Sequence, residues 1–240
     1  MEIFSYPFGL DLLVRWIHII AGITWIGLLY YFNFVQAPFV AEAEADVKGA
    51  VTRQLAPRAL AWFRYSALVT FLAGLTLLIF RIEQGGTAVF TSPYGFAVLT
   101  GGILGTVMFL NVWGVIWPNQ KIVIASAEAA AGGGAADPRA ADATRKALLA
   151  SRTNVVFSVP MLLFMAISGH GFFLLRQASG GEKLTYWLIF GALVVLIEAN
   201  ALVGLTGAMK KPLEKVGSVI WSGVIIAVII YGVLAILAGA

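Results

Sequence analysis

DLLVRWIHIIAGITWIGLLYYFNFVQ, residues 11–36, carries no charged side chain after Arg15, and the next one along the chain is Glu42. At ~1.5 Å of rise per residue such a run crosses a bilayer, which takes about 20 mostly apolar residues as a helix. The run is not evenly apolar. Steps of three and four from Asp11 reach Arg15, His18, Gly22, Trp25, Leu29, Asn33 and Gln36, which share one helical face. Lipid penalises a polar stripe, so the sequence predicts a first span whose polar face turns into a bundle built around it.

The rest of the chain agrees with that class. Of 240 residues, 60% are hydrophobic and 12% charged, where a soluble domain carries about 25% charged residues. The apolar runs are long and do not alternate, which excludes a membrane β-barrel. The fold class is therefore an all-α integral membrane protein, a bundle of about six transmembrane helices in a single domain. The spans fall at about 10–39, 60–82, 95–118, 153–175, 184–209 and 216–238. Alternate connections are rich in cations: Lys48, Arg53, Arg58 and Arg64, then Lys121, Arg139, Arg145, Lys146 and Arg152, then Lys210, Lys211 and Lys215. The positive-inside rule puts those connections in the cytoplasm of a bacterial inner membrane and both termini outside it. The basic connections face lipid headgroups, and no nucleic-acid partner is expected. The N-terminal MEIFSYPFGLD is not basic, so no cleavable signal peptide is expected. Residues 126–145, SAEAAAGGGAADPRAADATR, read as a flexible cytoplasmic loop. Gly101, Gly102 and Gly105 favour close helix packing and suit a homodimer contact. With no cysteine, disulfides, thiolate metal sites, cysteine nucleophiles and covalent c-type haem attachment are all excluded.

Two polar groups inside the spans are candidates for chemistry. In the outer half lie the only two histidines, His18 and His170, at similar depth. Neutral imidazole binds haem iron, and Gly22, Gly169 and Gly171 leave room for a flat macrocycle, so a b-type haem on both histidines is one reading. Met161 and Met165 are weaker ligand candidates. Arg15 suits a haem propionate or an ion pair with Asp11, and Trp25 lies one turn beyond Gly22. The alternative is a pair of histidines hydrogen-bonded to other helices. Toward the cytoplasm lie Asn33, Gln36, Asn111, Trp113, Trp117, Asn119, Arg152 and Asn154. Amides, an arginine and indole faces suit a planar anion, and equally an interfacial belt. Glu198 lies near mid-membrane, where an acid costs ~2.5 kcal/mol or more and must be paired or used.

Four segments carry a family resemblance: RWIHIIAGITWIGLLYYFNFVQ (15–36), NVWGVIWPNQ (111–120), SRTNVVFSVPMLLFM (151–165) and GLTGAMKKPLEKVGSVIWSG (204–223). Together they resemble the membrane domain of bacterial membrane-bound, cytochrome-c-linked urate oxidase, also called urate hydroxylase or dehydrogenase. The shorter pattern of His18, Gly22 and Trp25 also resembles haem-binding porphyrinogen oxidases and copper-resistance membrane proteins. The resemblance implies purine catabolism: urate is oxidised to 5-hydroxyisourate, and electrons leave through a cytochrome c or the quinone pool. Family members commonly carry a c-type cytochrome domain after the last span; this chain has no Cys-x-x-Cys-His, so a separate acceptor is expected. On this reading Asn33, Gln36, Asn111, Trp113, Trp117 and Asn119 bind urate. Arg152, Asn154 and Glu198 serve catalysis, and His18 and His170 hold haem with Gly22, Arg15 and Trp25 around it. The competing classes are a porphyrinogen oxidase-like protein, a urate or anion transporter, and a membrane anchor for a cytochrome.

Overall fold

The computed structural model describes residues 8–171 and 176–238. Among them are six helices long and apolar enough to cross a membrane. They are α1 (Phe8–Glu42), α2 (Ala45–Gly85), α3 (Pro93–Ala131), α4 (Ala140–His170), α5 (Gly180–Leu202) and α6 (Val216–Ala238). No strand occurs among the described residues. Helix starts follow local chemistry. Ser92 caps α3, its Oγ accepting from the Gly95 amide at 3.1 Å, with Pro93 in the first turn. Ser179 and Glu182 form a capping box at the head of α5.

The centre of the bundle is α4, not α1. In its most apolar stretch 67% of α4 is buried, against 22% of α1. α1 lies along α2 and bonds to α4 through Tyr30 and Asn33. Trp16, Ile19, Ile20 and Ile23 on its other side are exposed. The polar stripe of α1 does turn inward, but its outer part faces one neighbouring helix rather than a bundle core. Uniform apolarity hides this difference, because a lipid-facing and a core-facing leucine look alike in a sequence.

The helices also outlast their apolar cores. α3 continues to Ala131 and α4 begins at Ala140, so the expected loop of residues 126–145 shrinks to 132–139. Alanine is the strongest helix former, and the helix persists until the glycine triplet, where Gly133 takes φ +83°. The turn is pinned: the Asp137 amide donates to Ser126 Oγ at 2.9 Å.

Close packing uses the glycines within the chain. A Cβ on Gly101 would stand 3.0 Å from Met165 Cε and 3.3 Å from the Met161 carbonyl oxygen. On α6, a Cβ at Gly223 would meet Val159 Cγ2 at 2.7 Å and the Val156 oxygen at 3.1 Å. Pro160 has no N–H to give that Val156 carbonyl, which is the i−4 acceptor in α4.

Polar contacts sort the helix ends into two sides. Asp11 reaches Arg81, Gln177 reaches the Thr91 carbonyl, and Arg176 reaches that of Leu237. At the other end Arg145 reaches Leu205 and Glu214, and Asn33 reaches Ser151. The described ends of the chain, near Asp11 and Leu237, thus share one side.

Candidate functional site

Three polar side chains converge between α3, α4 and α5. Asn111 Nδ2 donates to Asn154 Oδ1 at 2.9 Å and to Glu198 Oε2 at 3.0 Å. Asn154 Nδ2 donates to the Met108 carbonyl oxygen at 2.9 Å. Asn154 is wholly buried and Asn111 nearly so. The other carboxylate oxygen, Glu198 Oε1, is buried without a partner. A buried polar atom left unpaired costs about 1–3 kcal/mol, so an orphan oxygen beside two amides marks a place where a donor belongs.

A second polar couple flanks the first across α4. Asn33 Nδ2 donates to Ser151 Oγ at 2.8 Å and to the Leu29 carbonyl at 2.8 Å. One turn outward, Tyr30 Oη and Ser158 Oγ are 2.9 Å apart. Two short π-helical stretches sit at this level. One, Tyr31–Gln36, contains Asn33; the other, Val112–Ile116, follows Asn111 directly. Such widened turns shift the helical register and recur at functional positions. Gln36 Oε1 and Trp113 Nε1 are buried here without partners.

The remaining inner candidates go elsewhere. Arg152 and Asn154 are two positions apart on a helix, so they point ~200° away from each other. Arg152 turns from the amide cluster and donates to the Leu213 carbonyl. Asn119 Nδ2 bonds the Val115 carbonyl of its own helix at 2.7 Å. Trp117 lies under the Arg64 guanidinium, 3.8 Å from its ring centre, and Trp113 packs edge-on to Tyr65. The single cleft read from the sequence is thus divided among several faces, with Asn111, Asn154 and Glu198 in direct contact.

The outer candidates are also separated. His18 Nδ1 lies 2.8 Å from the Thr70 carbonyl oxygen. A carbonyl only accepts, so Nδ1 carries the proton and Nε2 keeps its lone pair, the orientation of a metal-binding histidine. The glycine that makes room for this ring is Gly74, whose Cβ would stand 3.1 Å from His18 Cε1; Gly22 faces Thr70 at an ordinary 3.7 Å. His170 is exposed on the last turn of α4. Arg15 pairs with Asp11 at 2.8 Å, and Asp11 also holds Arg81 at 2.8 Å. Trp25 is buried with its indole N–H unpartnered. His18 Nε2 is thus the ring nitrogen that would hold a metal or haem, and the exposed His170 does not enclose a site with it. No group of three His, Cys, Asp or Glu suited to a metal occurs among the described residues.

Several partners have no sequence signature of their own. Ser158 is a small hydroxyl inside an apolar run, and Ser151 is overshadowed by Arg152 and Asn154 beside it. Thr100 Oγ1 and Tyr186 Oη meet at 2.7 Å, both buried, on the α3–α5 interface that ends in Asn111 and Glu198. Only the parallel spacing of 11 and 12 residues along the two helices hints at that match.

These features define a helical bundle with six membrane-capable spans and an Asn–Asn–Glu cluster at its core. Residues 82–235 match the family model described as Urate oxidase N-terminal, and the chain belongs to that family. The matched segment takes in Asn111, Asn154 and Glu198 and leaves out His18, Asn33 and Gln36. No curated protein and no solved structure matches.

Proposed function

We propose that this protein is a membrane-bound urate oxidoreductase of the bacterial inner membrane, with both termini outside. The reading rests on one observation. The Asn111–Asn154–Glu198 cluster lies wholly inside the segment that matches the urate oxidase family, and one carboxylate oxygen lacks a donor. Urate is flat, anionic and rich in N–H and C=O groups. Glu198 Oε1, beside the two amides, can accept from a urate N–H.

The overall change is urate plus water giving 5-hydroxyisourate, two electrons and two protons. In this scheme Glu198 takes a proton through Oε1 while Asn111 holds Oε2, and Asn154 fixes Asn111 through its own bond to Met108. A b-type haem, where bound, would be held at His18 through Nε2 and would accept electrons singly for a cytochrome c or the quinone pool. The Thr70 carbonyl fixes the His18 ring for that role.

Glu198→Gln tests the reading in detergent-purified protein. The substitution keeps the shape and the Asn111 contact, so folding should persist while urate turnover with cytochrome c falls at least about a hundred-fold. Turnover that survives in Glu198→Gln removes the carboxylate from the mechanism. Urate uptake into vesicles with no oxidation would instead establish a transporter, a role that an intramembrane acid also suits.

A further inference from the structure

Three cations from two elements converge on the connection between α5 and α6. Arg145 and Arg152 are two turns apart on one face of α4. Arg145 Nε donates to the Leu205 carbonyl at 3.0 Å, and Arg152 donates to that of Leu213. Lys210, from the connection itself, donates to the Asn200 carbonyl. Arg145 stands near enough to Arg152 and Lys210 to repel both. Among the described residues the carboxylate paired there is Glu214, half exposed, 3.1 Å from Arg145.

Two features exceed what fastening a loop requires. Arg152 is 8% exposed and Lys210 only 2%, so two cations are sunk beside a third. Arg152 Nε is buried with no partner. A guanidinium has five donors in a fixed fork, and burial with some of them unpaired is unfavourable unless an anion completes the set. The neighbouring surface is apolar and exposed, with Leu202, Val203 and Met209 at 50%, 75% and 75%. Charge beside bare apolar surface, at the end of two spans, matches a molecule with a phosphate head and a hydrocarbon body.

We propose that Arg145, Arg152 and Lys210 bind the phosphate of an anionic phospholipid, whose acyl chains cover Leu202, Val203 and Met209. Oxygens of the phosphate fill the free Arg152 donor and offset the three cations. The lipid would lock the connection onto α4 on the side opposite the Asn154 cluster, so the site stands independently of the urate reading.

The test is native mass spectrometry of the whole purified chain with phosphatidylglycerol, with phosphatidylcholine, or with inorganic phosphate. Thermal unfolding is followed in parallel by tryptophan fluorescence. Phosphatidylglycerol should be retained and raise the melting temperature, while phosphatidylcholine should do neither. Arg145→Gln should weaken retention about five-fold, the factor one basic residue supplies at an anionic surface, and exposed Lys146→Gln should leave it unchanged. Equal loss in Lys146→Gln would make the attraction diffuse and overturn the site. Equal protection by inorganic phosphate alone would overturn the lipid assignment. Should Arg145→Gln fail to fold, equal retention of the two lipids by the unaltered protein would overturn the proposal.

Discussion

The ends of the helices and the middle of the bundle are held by opposite chemistries. At the ends, formal charges pair where solvent reaches them in part: Asp11 with Arg15 and Arg81, Arg176 with Glu182 at 2.6 Å, and Arg145 with Glu214 at 3.1 Å. Inside, neutral amides and hydroxyls pair out of reach of solvent around α4, and the one acid among them is bonded through a single oxygen. Exposed ion pairs contribute little, about 0–1 kcal/mol, because water already solvates both partners. Buried amides have no such alternative, so each must be satisfied by the fold or by a ligand. An intramembrane polar residue is therefore informative in proportion to how completely protein surrounds it. By that measure Asn154, wholly buried, outranks the part-buried His18 and the exposed His170, and Glu198, itself part-buried, joins it through Asn111.

The largest effect should come from breaking the inner network. Asn154→Leu removes the side-chain donor to the Met108 carbonyl, which keeps the Val112 amide, and one of the two acceptors of Asn111. The expected loss is about 2–5 kcal/mol of stability, together with urate turnover. The matched change outside, Asp11→Asn, weakens two part-exposed pairs and should cost no more than about 1 kcal/mol. Melting curves of the two variants in one detergent decide the matter, and equal losses would erase the contrast between the ends and the middle.

Next in size is the α4–α6 contact. Gly223→Ala drives a methyl to 2.7 Å from Val159 and 3.1 Å from the backbone oxygen of Val156, neither the end of a long flexible chain. Overpacking of this kind costs about 1–3 kcal/mol. Gly102→Ala, with nothing within 4 Å, is the control and should melt as the parent does. A neutral Gly223→Ala would mean that α6 can slide away from α4 without loss.

Six helices long and apolar enough to cross a membrane, their order and the inward polar face of α1 were legible because length and apolarity determine them directly. The identity of the central helix was not. α1 displays its polar residues in a regular stripe, whereas α4 presents Arg152 and Asn154 on opposite sides, and only packing shows that both sides are covered. Asn111, Asn154 and Glu198 each stood out as polar residues in apolar runs. Their mutual contact requires three helices to be placed. The grouping of Arg152 with Asn154 failed for a plain geometric reason: positions i and i+2 of a helix do not share a face. The flexible loop expected at 126–145 is longer than the observed turn at 132–139, because the alanine runs on either side of the glycine triplet extend the helices.

A smaller effect sharpens the outer half. Gly74→Ala sets a methyl 3.1 Å from His18 Cε1 and 3.4 Å from Nδ1, so the ring must give by a few tenths of an ångström. The His18 hydrogen bond to Thr70 should lengthen, with a stability loss of about 1 kcal/mol and an altered imidazole signal by NMR. If His18 ligates haem, the visible spectrum of Gly74→Ala should shift as well. An unchanged imidazole signal would show that the ring is not held against α2.

The smallest effect lies outside the spans, in the turn between α3 and α4. There Arg139 holds Asp137 through its backbone amide at 2.8 Å and its guanidinium at 2.8 Å, and these bonds lower the Asp137 carboxyl from 3.8 to about 2. Because the folded value lies below the unfolded one, the stabilisation is complete above about pH 4 and disappears as the pH falls through about 2. The pair lies at the surface, with Arg139 exposed and Asp137 partly so, so its effect on global melting should be undetectable, unlike that of any buried amide. A carboxyl-carbon NMR titration reads it directly: Asp137 should titrate near 2 in the parent and move back toward 3.8 in Arg139→Gln. A midpoint already near 3.8 in the parent would show that the turn is open in solution. The compact 132–139 connection would then give way to the longer flexible loop that the glycine and alanine content first indicated.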